Sequence, residues 1–253
     1  MIGAFLLGLL AVAAAAAADD CRLQQAPDQT VAVIRVTDGD TVRLGDGRVV
    51  RLIGINAPEL SHDGSTAQPH AEQAAARLAE LLQGRGGVGV VWEGEHRDRY
   101  QRALAHLYLP DGQNVQELMV REGQAIAIAV PPNIAQFACY ARAEQQARRH
   151  RLGLWRLAYY QPLSGAQRDP GVAGFRLIRG RVRSIGDSAK SVWLNLEGDL
   201  ALRVARNDLQ YFSSLDLHRL LGKEVEAKGW LRPYRGQLVM QLRHPGMLEV
   251  IAP

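Results

Sequence analysis

The sequence has 253 residues, of which 47% are hydrophobic and 22% are charged, so it can form one large or two small globular domains. Its 25 glycines, 11 prolines and 6% aromatic residues favour several short strands over a large helical bundle, and this composition excludes a disordered or collagen-like chain. Because the chain has 2 cysteines, a small scaffold held together by several disulfides is excluded as well.

The first eighteen residues carry no charge and end in a run of alanines before Asp19 and Asp20. This pattern predicts a signal peptide over residues 1–18, cleaved near Asp19, and therefore a secreted or periplasmic protein. The alternative is an uncleaved membrane anchor, since eighteen apolar residues are just long enough to span a bilayer. Contact with a membrane is expected only in that case.

Cys21 and Cys139 form an even pair in a chain that is expected to be exported. One disulfide between the mature N-terminus and a later helix is one hypothesis, because disulfides persist in oxidising compartments. Two unpaired thiols are the other.

A stretch rich in proline, glycine and polar residues around 159–174 predicts a break between two domains. We expect a first domain over 27–157, a linker over 158–173 and a second domain over 174–253. Residues 19–170 hold 17 basic and 18 acidic side chains, whereas residues 171–253 hold 13 basic and 8 acidic ones. The basic excess therefore lies in the second domain.

The first domain opens with three β-rich runs between residues 30 and 55, separated by the turn signals DGD and GDG. Alanines and leucines at helical spacing then predict a helix over 71–82 that ends at Gly84. Two further strands follow at 87–95 and 103–109, then a short helix from Asn114, an apolar run and a terminal helix over 137–151. Five strands with added helices are the elements of an OB-type barrel.

The second domain repeats this order, with strands over 175–186, 192–198, 200–206, 223–234 and 237–242. A helix is predicted between the third and fourth strands, with Asn207 as its N-cap and Gly222 as its end. The predicted class is mainly β with helices, an α+β arrangement of two OB-like barrels in tandem.

Three clusters in the first domain carry residues suited to phosphodiester chemistry: Asp38 to Thr41, Arg51 with Asn56 to Glu59, and Asp98 to Arg102. Phosphodiester hydrolysis needs a hard cation held by oxygen ligands, a base that activates water, and fixed positive charge on the phosphate. Asp40 and Asn56 supply suitable oxygens, Glu59 a base, and Arg51 and Arg102 the positive charge. Any one cluster alone is weak, because short motifs often match by chance.

In this order the clusters resemble the staphylococcal nuclease family, whose pattern runs DGDT, RLxGIDxPE and DxYGR, from about Val31 to Trp155. The resemblance implies an OB barrel with three helices and a calcium-dependent nuclease that cleaves DNA and RNA, single-stranded or double-stranded, to leave 3′-phosphates. By matching positions, the resemblance implies the following roles: Ca²⁺ ligands Asp40, Asn56 and the Ala57 carbonyl; general base Glu59; phosphate-binding arginines Arg51 and Arg102. Tyr100 is a further candidate for contact with nucleic acid.

The chain departs from the family pattern in three places. Asn56 stands where the family has aspartate, Gln101 replaces the glycine of DxYGR, and Ala129 and Pro131 stand where the archetype has pocket tyrosines. The neutral Asn56 predicts weaker calcium binding, by up to ~4 kcal/mol for a unit charge about 4 Å away at an effective dielectric near 20. The alternative function is therefore a weak or inactive nuclease-like module that binds nucleic acid or protein.

The second barrel offers cations and rings of the kind that bind single strands. The candidate contacts for nucleic acid are Arg203, Arg232 and Arg235, next to Trp193 and Tyr234, whereas Trp230 is expected in the core. The seven histidines show no zinc-like spacing, and no glycine loop or fingerprint for an organic cofactor is visible. We expect a monomer.

Overall fold

A computed structural model of the chain describes residues 21–61, 66–164 and 173–251. The predicted signal peptide and residues 165–172 of the predicted linker lie outside these ranges. The described chain is mainly β with three α-helices, and its strands form two barrel-like sheets, as the sequence predicts. Across the described residues, no helix is long and apolar enough to span a membrane.

The first sheet is a half-barrel with the strand order of an OB fold. The strands of this half are β1 Gln29–Val31, β2 Val33–Asp38, β3 Thr41–Leu44, β4 Val49–Leu52, β5 Ile55–Asn56, β6 Val88–Arg97, β7 Ala103–Tyr108 and β8 Ile126–Ala127. Six of them are ordered β1-β6-β7-β4-β3-β2, with β4 and β7 parallel, while β5 pairs with β8. Only Ala32 separates β1 from β2, so one run of chain supplies both edges.

Three helices cover this half-barrel: α1 Ala71–Leu82, α2 Val115–Arg121 and α3 Phe137–Arg149. Helix α1 buries the alanine and leucine stripe that predicts it. Asn114 caps α2, because its side-chain oxygen accepts a hydrogen bond from the Glu117 N–H at 2.9 Å. Cys21 and Cys139 form a disulfide that joins the start of the described chain to α3, the first of the two alternatives that the sequence leaves open.

The second sheet is a closed barrel. Its strands are β9 Leu163–Ser164, β10 Gly174–Asp187, β11 Ser191–Leu196, β12 Leu200–Ala205, β13 Glu224–Tyr234, β14 Gln237–Leu242 and β15 Leu248–Val250. The order β10-β11-β12-β14-β13 closes because β13 also pairs with β10, and β12 lies parallel to β14. Both sheets therefore place the third and fifth strands of the barrel in parallel, the OB arrangement. Within the predicted linker, β9 already pairs with β10.

The helix predicted over 207–222 is wrong in form. Two short 3-10 helices stand there, Arg206–Phe212 and Leu217–Leu220, and Asp216, rather than Asn207, accepts a capping hydrogen bond, from the His218 N–H at 3.0 Å. Ser213, Ser214 and Asp216 interrupt the apolar pattern, and such short polar side chains compete with the helical hydrogen bonds of the backbone.

Trp230 does not lie in the core as the sequence predicts. Its side chain is 40% exposed, and one face meets the Phe175 ring edge-on at 5.1 Å. The neighbouring Leu231 is fully buried, and successive side chains on a strand point to opposite faces. The register of β13 therefore turns Trp230 outward.

The two barrels share one interface along α3. One apolar cluster combines Trp155 and Tyr160 of the first half with Phe175 of the second. The Lys228 ammonium donates to the buried Glu144 carboxylate at 2.6 Å, and Glu144 also accepts from the Ala127 N–H at 2.7 Å. This ion pair therefore ties the second barrel to the core of the first.

Candidate active site

The Asp38 to Thr41 turn between β2 and β3 forms one wall of the candidate site. Asp38 Oδ1 accepts from the Asp40 N–H at 3.0 Å, which fixes a tight turn. A Cβ on Gly39 would lie 2.6 Å from the Ala57 Cβ and 2.8 Å from the Ala74 Cβ. Glycine therefore lets this turn approach both α1 and the segment after β5.

Asp40 is the centre of the cluster. Its side chain is 3% exposed, and its carboxylate accepts from the Ala57 N–H at 2.7 Å, from the Thr41 hydroxyl at 3.2 Å and from Arg51 Nη2 at 3.0 Å. The structure thus brings together four residues that the sequence analysis places in one site: Asp40, Arg51, Asn56 and Ala57. They come from the turn before β3, from β4, and from the end of β5.

Arg51 is held by four protein oxygens. Its Nη1 donates to the main-chain carbonyls of Leu52 at 2.8 Å and Ile55 at 2.9 Å, and its Nη2 faces Asp40 and the Asn56 side-chain oxygen, at 3.4 Å. These contacts fix the guanidinium between β4 and β5. The same contacts engage both of its terminal nitrogens.

The pKa of Asp40 is raised mainly by burial, despite the neighbouring Arg51. Burial raises the pKa of Asp40 to about 7 even though Arg51 lowers it, and the nearby Asp38 and Glu59 raise this pKa further. A second cation beside Asp40 would favour the ionised carboxylate and lower this pKa.

The oxygens at this site fit a hard divalent cation in chemistry. Asp40 accepts from the Ala57 N–H, the Asn56 Nδ2 donates to the Ala57 carbonyl at 3.5 Å, and Arg51 faces both Asp40 and the Asn56 amide oxygen. Calcium accepts carboxylate, amide and carbonyl ligands. In the described ranges, no group of three or more His, Cys, Asp or Glu side chains is placed to hold a metal. A cation here would therefore rest on one carboxylate and on neutral oxygens.

Glu59 lies exposed at the rim of this cluster. Its main chain is fixed to Gln68 in both directions: the Glu59 N–H donates to the Gln68 side-chain oxygen at 3.2 Å, and the Gln68 N–H donates to the Glu59 carbonyl at 2.9 Å. Because Glu59 acts on the pKa of Asp40, its carboxylate lies within electrostatic range of the buried group. An exposed carboxylate at this place can meet both water and substrate.

Arg102 lies at the start of β7, next to β4 in the sheet. Its Nε donates to Asp98 Oδ2 at 2.7 Å, and the other Asp98 oxygen accepts from the N–H groups of Tyr100 and Arg102, both at 2.9 Å. Tyr100 is 65% exposed, with the Arg102 guanidinium 5.5 Å from its ring centre. The structure therefore brings Tyr100 and Arg102 together, whereas the described contacts of Arg102 run to Asp98 and Tyr100 rather than to Asp40.

Gln101 takes a left-handed backbone conformation, which glycine adopts most readily. Its φ is 64°, and its N–H donates to the Asp98 carbonyl at 2.9 Å. The turn that presents Arg102 thus forms without glycine, although a left-handed backbone costs a residue with a Cβ about 1–2 kcal/mol.

Comparisons with known proteins cover the half of the chain that contains this cluster. The sequence model of the family described as "Staphylococcal nuclease homologue" matches residues 49–157. The thermonuclease of Staphylococcus hyicus is 30% identical over 136 residues, which cover 53% of this chain and 79% of that protein. The chain belongs to the staphylococcal nuclease family.

Two relatives from Bacillus subtilis (strain 168) are named as endonucleases. The SPbeta prophage-derived endonuclease YokF is 35% identical over 49% of this chain and 43% of its own length, and endonuclease YncB is 33% identical over 51% and 63%. The chain thus spans about half the length of these relatives. The second barrel lies beyond the residues that the family model matches.

The positions of the pocket tyrosines in the staphylococcal nuclease archetype are remodelled here. Ala129 is 2% exposed, and its N–H donates to the Met247 sulfur at 3.1 Å, so the second barrel covers it. The following loop is held by Glu93, whose carboxylate accepts from the Ile134 N–H at 2.6 Å and from the Ala135 N–H at 2.8 Å. Ala129 is therefore not accessible to a substrate in this protein.

Sequence reasoning missed a buried polar network beneath this loop. His106 donates or accepts at both ring nitrogens, to Tyr140 at 2.8 Å and to Glu93 at 2.9 Å, and the Tyr140 hydroxyl donates to Asn114 at 3.1 Å. His106 is a polar residue inside the apolar run ALAHLYL, and this was the available signal. Thr41 and Asp98 were missed as partners of Asp40 and Arg102, although the motifs contain both.

Proposed function

We propose that the protein is an exported, calcium-dependent nuclease that hydrolyses phosphodiester bonds of DNA and RNA and leaves 3′-phosphates. The observation that carries this proposal is the buried Asp40–Arg51 pair at 3.0 Å, with Asn56 and Ala57 against it, at the motif positions of the family. The staphylococcal nuclease relatives named as endonucleases support nucleic acid as the substrate.

Each residue has a role in the proposed reaction. Glu59 accepts a proton from the water that attacks phosphorus, and the phosphorus–O5′ bond breaks. The leaving 5′-oxygen takes a proton from solvent water, and Glu59 later returns its proton to solvent. Calcium bound to Asp40, Asn56 and the Ala57 carbonyl would supply positive charge to the phosphate in the transition state. Arg102, which is one-third exposed, donates to the phosphate oxygens from the rim.

Arg51 has to change partners in order to act. Its Nη2 hydrogens point at Asp40 and Asn56, and its Nη1 hydrogens are taken by main-chain carbonyls. If Asp40 and Asn56 held a cation, the Nη2 hydrogens of Arg51 would be available to phosphate oxygens. The Nη1 contacts to the two main-chain carbonyls would keep the guanidinium in place.

Export is supported by the disulfide. The Cys21–Cys139 bond needs an oxidising compartment to persist, and the charge-free N-terminal segment reads as a signal peptide. We therefore place the protein in the periplasm or outside the cell.

The second candidate is a module that binds nucleic acid without cutting it. Asn56 favours this candidate, because it leaves Asp40 as the one carboxylate among the three ligands. The two candidates predict the same binding and differ in hydrolysis.

The test is hydrolysis of single-stranded DNA and RNA by the protein with millimolar calcium and, separately, with a chelator. We expect cleavage with calcium and none with the chelator. A phosphatase specific for 3′-phosphates should remove the terminal phosphate of the products. DNA that is bound but left intact with calcium would reject the nuclease and support the binding module.

A further inference from the structure

Two aromatic rings stack on the outside of the second barrel. Trp193 lies on β11 and Tyr234 at the end of β13, with ring centres 6.1 Å apart and planes 21° from parallel. Tyr234 is 49% exposed, and Trp193 is partly exposed. The pair therefore offers a flat apolar surface to solvent.

Arginines flank both rings. The Arg203 guanidinium lies 5.8 Å from the Trp193 ring centre and the Arg235 guanidinium 5.4 Å from that of Tyr234. Arg203 is fixed by neutral partners, the Ser191 hydroxyl at 2.8 Å and the Gln241 amide oxygen at 3.4 Å. Over the described part of the chain, neither arginine pairs with a carboxylate, whereas several other arginines of this barrel do.

Arg235 lies in a hairpin turn whose backbone conformation favours asparagine or glycine over arginine. Tyr234 pairs with Gln237, and the two residues between them, Arg235 and Gly236, have φ of 49° and 80°. Positive φ at both central positions of a two-residue hairpin loop favours asparagine followed by glycine. The chain keeps arginine at the first of these positions, beside the stacked rings.

We propose that Trp193, Tyr234, Arg203 and Arg235 form a platform that binds single-stranded nucleic acid by stacking a base on the rings and pairing its phosphates with the arginines. Every base has a face that can stack, and unpaired guanidinium groups bind phosphate. A duplex keeps its bases stacked on each other and cannot use the rings. The excess of 13 basic over 8 acidic residues in 171–253 complements a polyanion.

This platform extends the proposed nuclease function to a second contact with the same class of substrate, outside the candidate active site. Arg232 is exposed on β13 opposite Val239, on the hairpin that carries Tyr234, and adds to the positive charge. The barrel then holds the strand that the nearly neutral first domain attracts weakly.

The test measures binding of a fluorescent 20-nucleotide thymidine strand by anisotropy, with chelator present so that no cleavage occurs. We expect Tyr234→Ala to weaken binding at least fivefold, since stacking contributes ~1–3 kcal/mol per base, while Tyr234→Phe binds as the parent does. Binding of a duplex of the same length should change less than twofold in either variant.

A salt series tests the arginines. Arg235→Asn removes the charge and suits the left-handed backbone, so we expect the slope of log K against log salt to fall by about 0.7. Arg219→Ala is the matched control, because Arg219 is exposed in a 3-10 helix and pairs with Asp216. Its slope should stay at the parent value.

The proposal is overturned if Tyr234→Ala binds the single strand as tightly as Tyr234→Phe, or if Arg235→Asn leaves the slope unchanged. Either result would favour a contact with protein on this face. Because binding is measured without hydrolysis, loss of the nuclease function leaves this test intact.

Discussion

The two barrels have the same strand order but use their charges in opposite ways. In the first barrel, Asp40 and Arg51 lie inside the cluster at the ends of β3 and β4, with side chains 3% and 12% exposed. In the second, Arg203 and Arg235 lie on the outside beside exposed rings. In the functions we propose, one OB fold carries a reactive site and the other a binding face, and the direction of the side chains on the strands distinguishes the two.

The barrels are nevertheless one unit in packing. Residues of both halves form a common apolar cluster, and the second barrel covers Ala129 in the first. Deleting residues 171–253 would strip this interface, so substitutions separate the two roles more cleanly than truncation does.

Breaking the interface should have the largest effect. Lys228→Met leaves the Glu144 carboxylate, 5% exposed, without its cation, so we expect the free energy of unfolding to fall by about 3–5 kcal/mol in urea denaturation. Arg183→Met is the control, since its pair with Glu197 is exposed and contributes less than about 1 kcal/mol. Equal losses in the two variants would mean that the barrels are not coupled through Glu144.

The first barrel's rim arginine should matter for rate and little for stability. We expect Arg102→Lys to lower hydrolysis by about 10²–10³-fold, because lysine lacks the planar fork that meets phosphate, while the melting temperature stays near that of the parent. Arg99→Lys, at the residue directly after Asp98 in the same turn, controls for the change of side chain. A variant Arg102→Lys with full activity would remove Arg102 from the site.

Adding a negative charge at Asn56 tests whether calcium binds in the first barrel rather than the second. Asn56→Asp adds a carboxylate to the ligands, so we expect calcium affinity by calorimetry to rise about tenfold, within the ~4 kcal/mol that a unit charge could supply. Asn195→Asp adds the same charge to the second barrel, where Asn195 bonds to Ser184, and should leave calcium affinity unchanged. Equal effects would show that net charge, rather than this site, controls the metal.

Each barrel also carries a side chain in a left-handed turn, Gln101 in the first and Arg235 in the second. We expect Gln101→Gly to raise the free energy of unfolding by about 0.5–1 kcal/mol, the relief of strain less the added freedom of glycine when unfolded. Thermal unfolding measures this small gain. A loss of stability would show that the Gln101 side chain contributes contacts that outweigh its strain.

The sequence predicts the strands and α1 because alternation and helical spacing are local patterns. It places Asp40, Arg51 and Asn56 in one site because the motifs follow one another in the order of the nuclease family. It does not predict the orientation of Trp230, which depends on strand register, nor the broken helix near Ser213, which depends on competition between side chains and backbone. Residue contacts between distant segments were also beyond it. Met247 covers Ala129, and Lys228 pairs with Glu144. The two residues of each contact lie 84 or more positions apart, and no local pattern predicts such contacts.

The central claim is that the first barrel is a catalytic site with Glu59 as its base. The most direct measurement compares Glu59→Gln with the parent protein on the same single-stranded DNA, following both hydrolysis with calcium and binding. The account predicts that hydrolysis falls by about 10²–10⁴-fold while binding stays within a factor of two. Hydrolysis that persists at the parent rate in Glu59→Gln would contradict the assignment of the base.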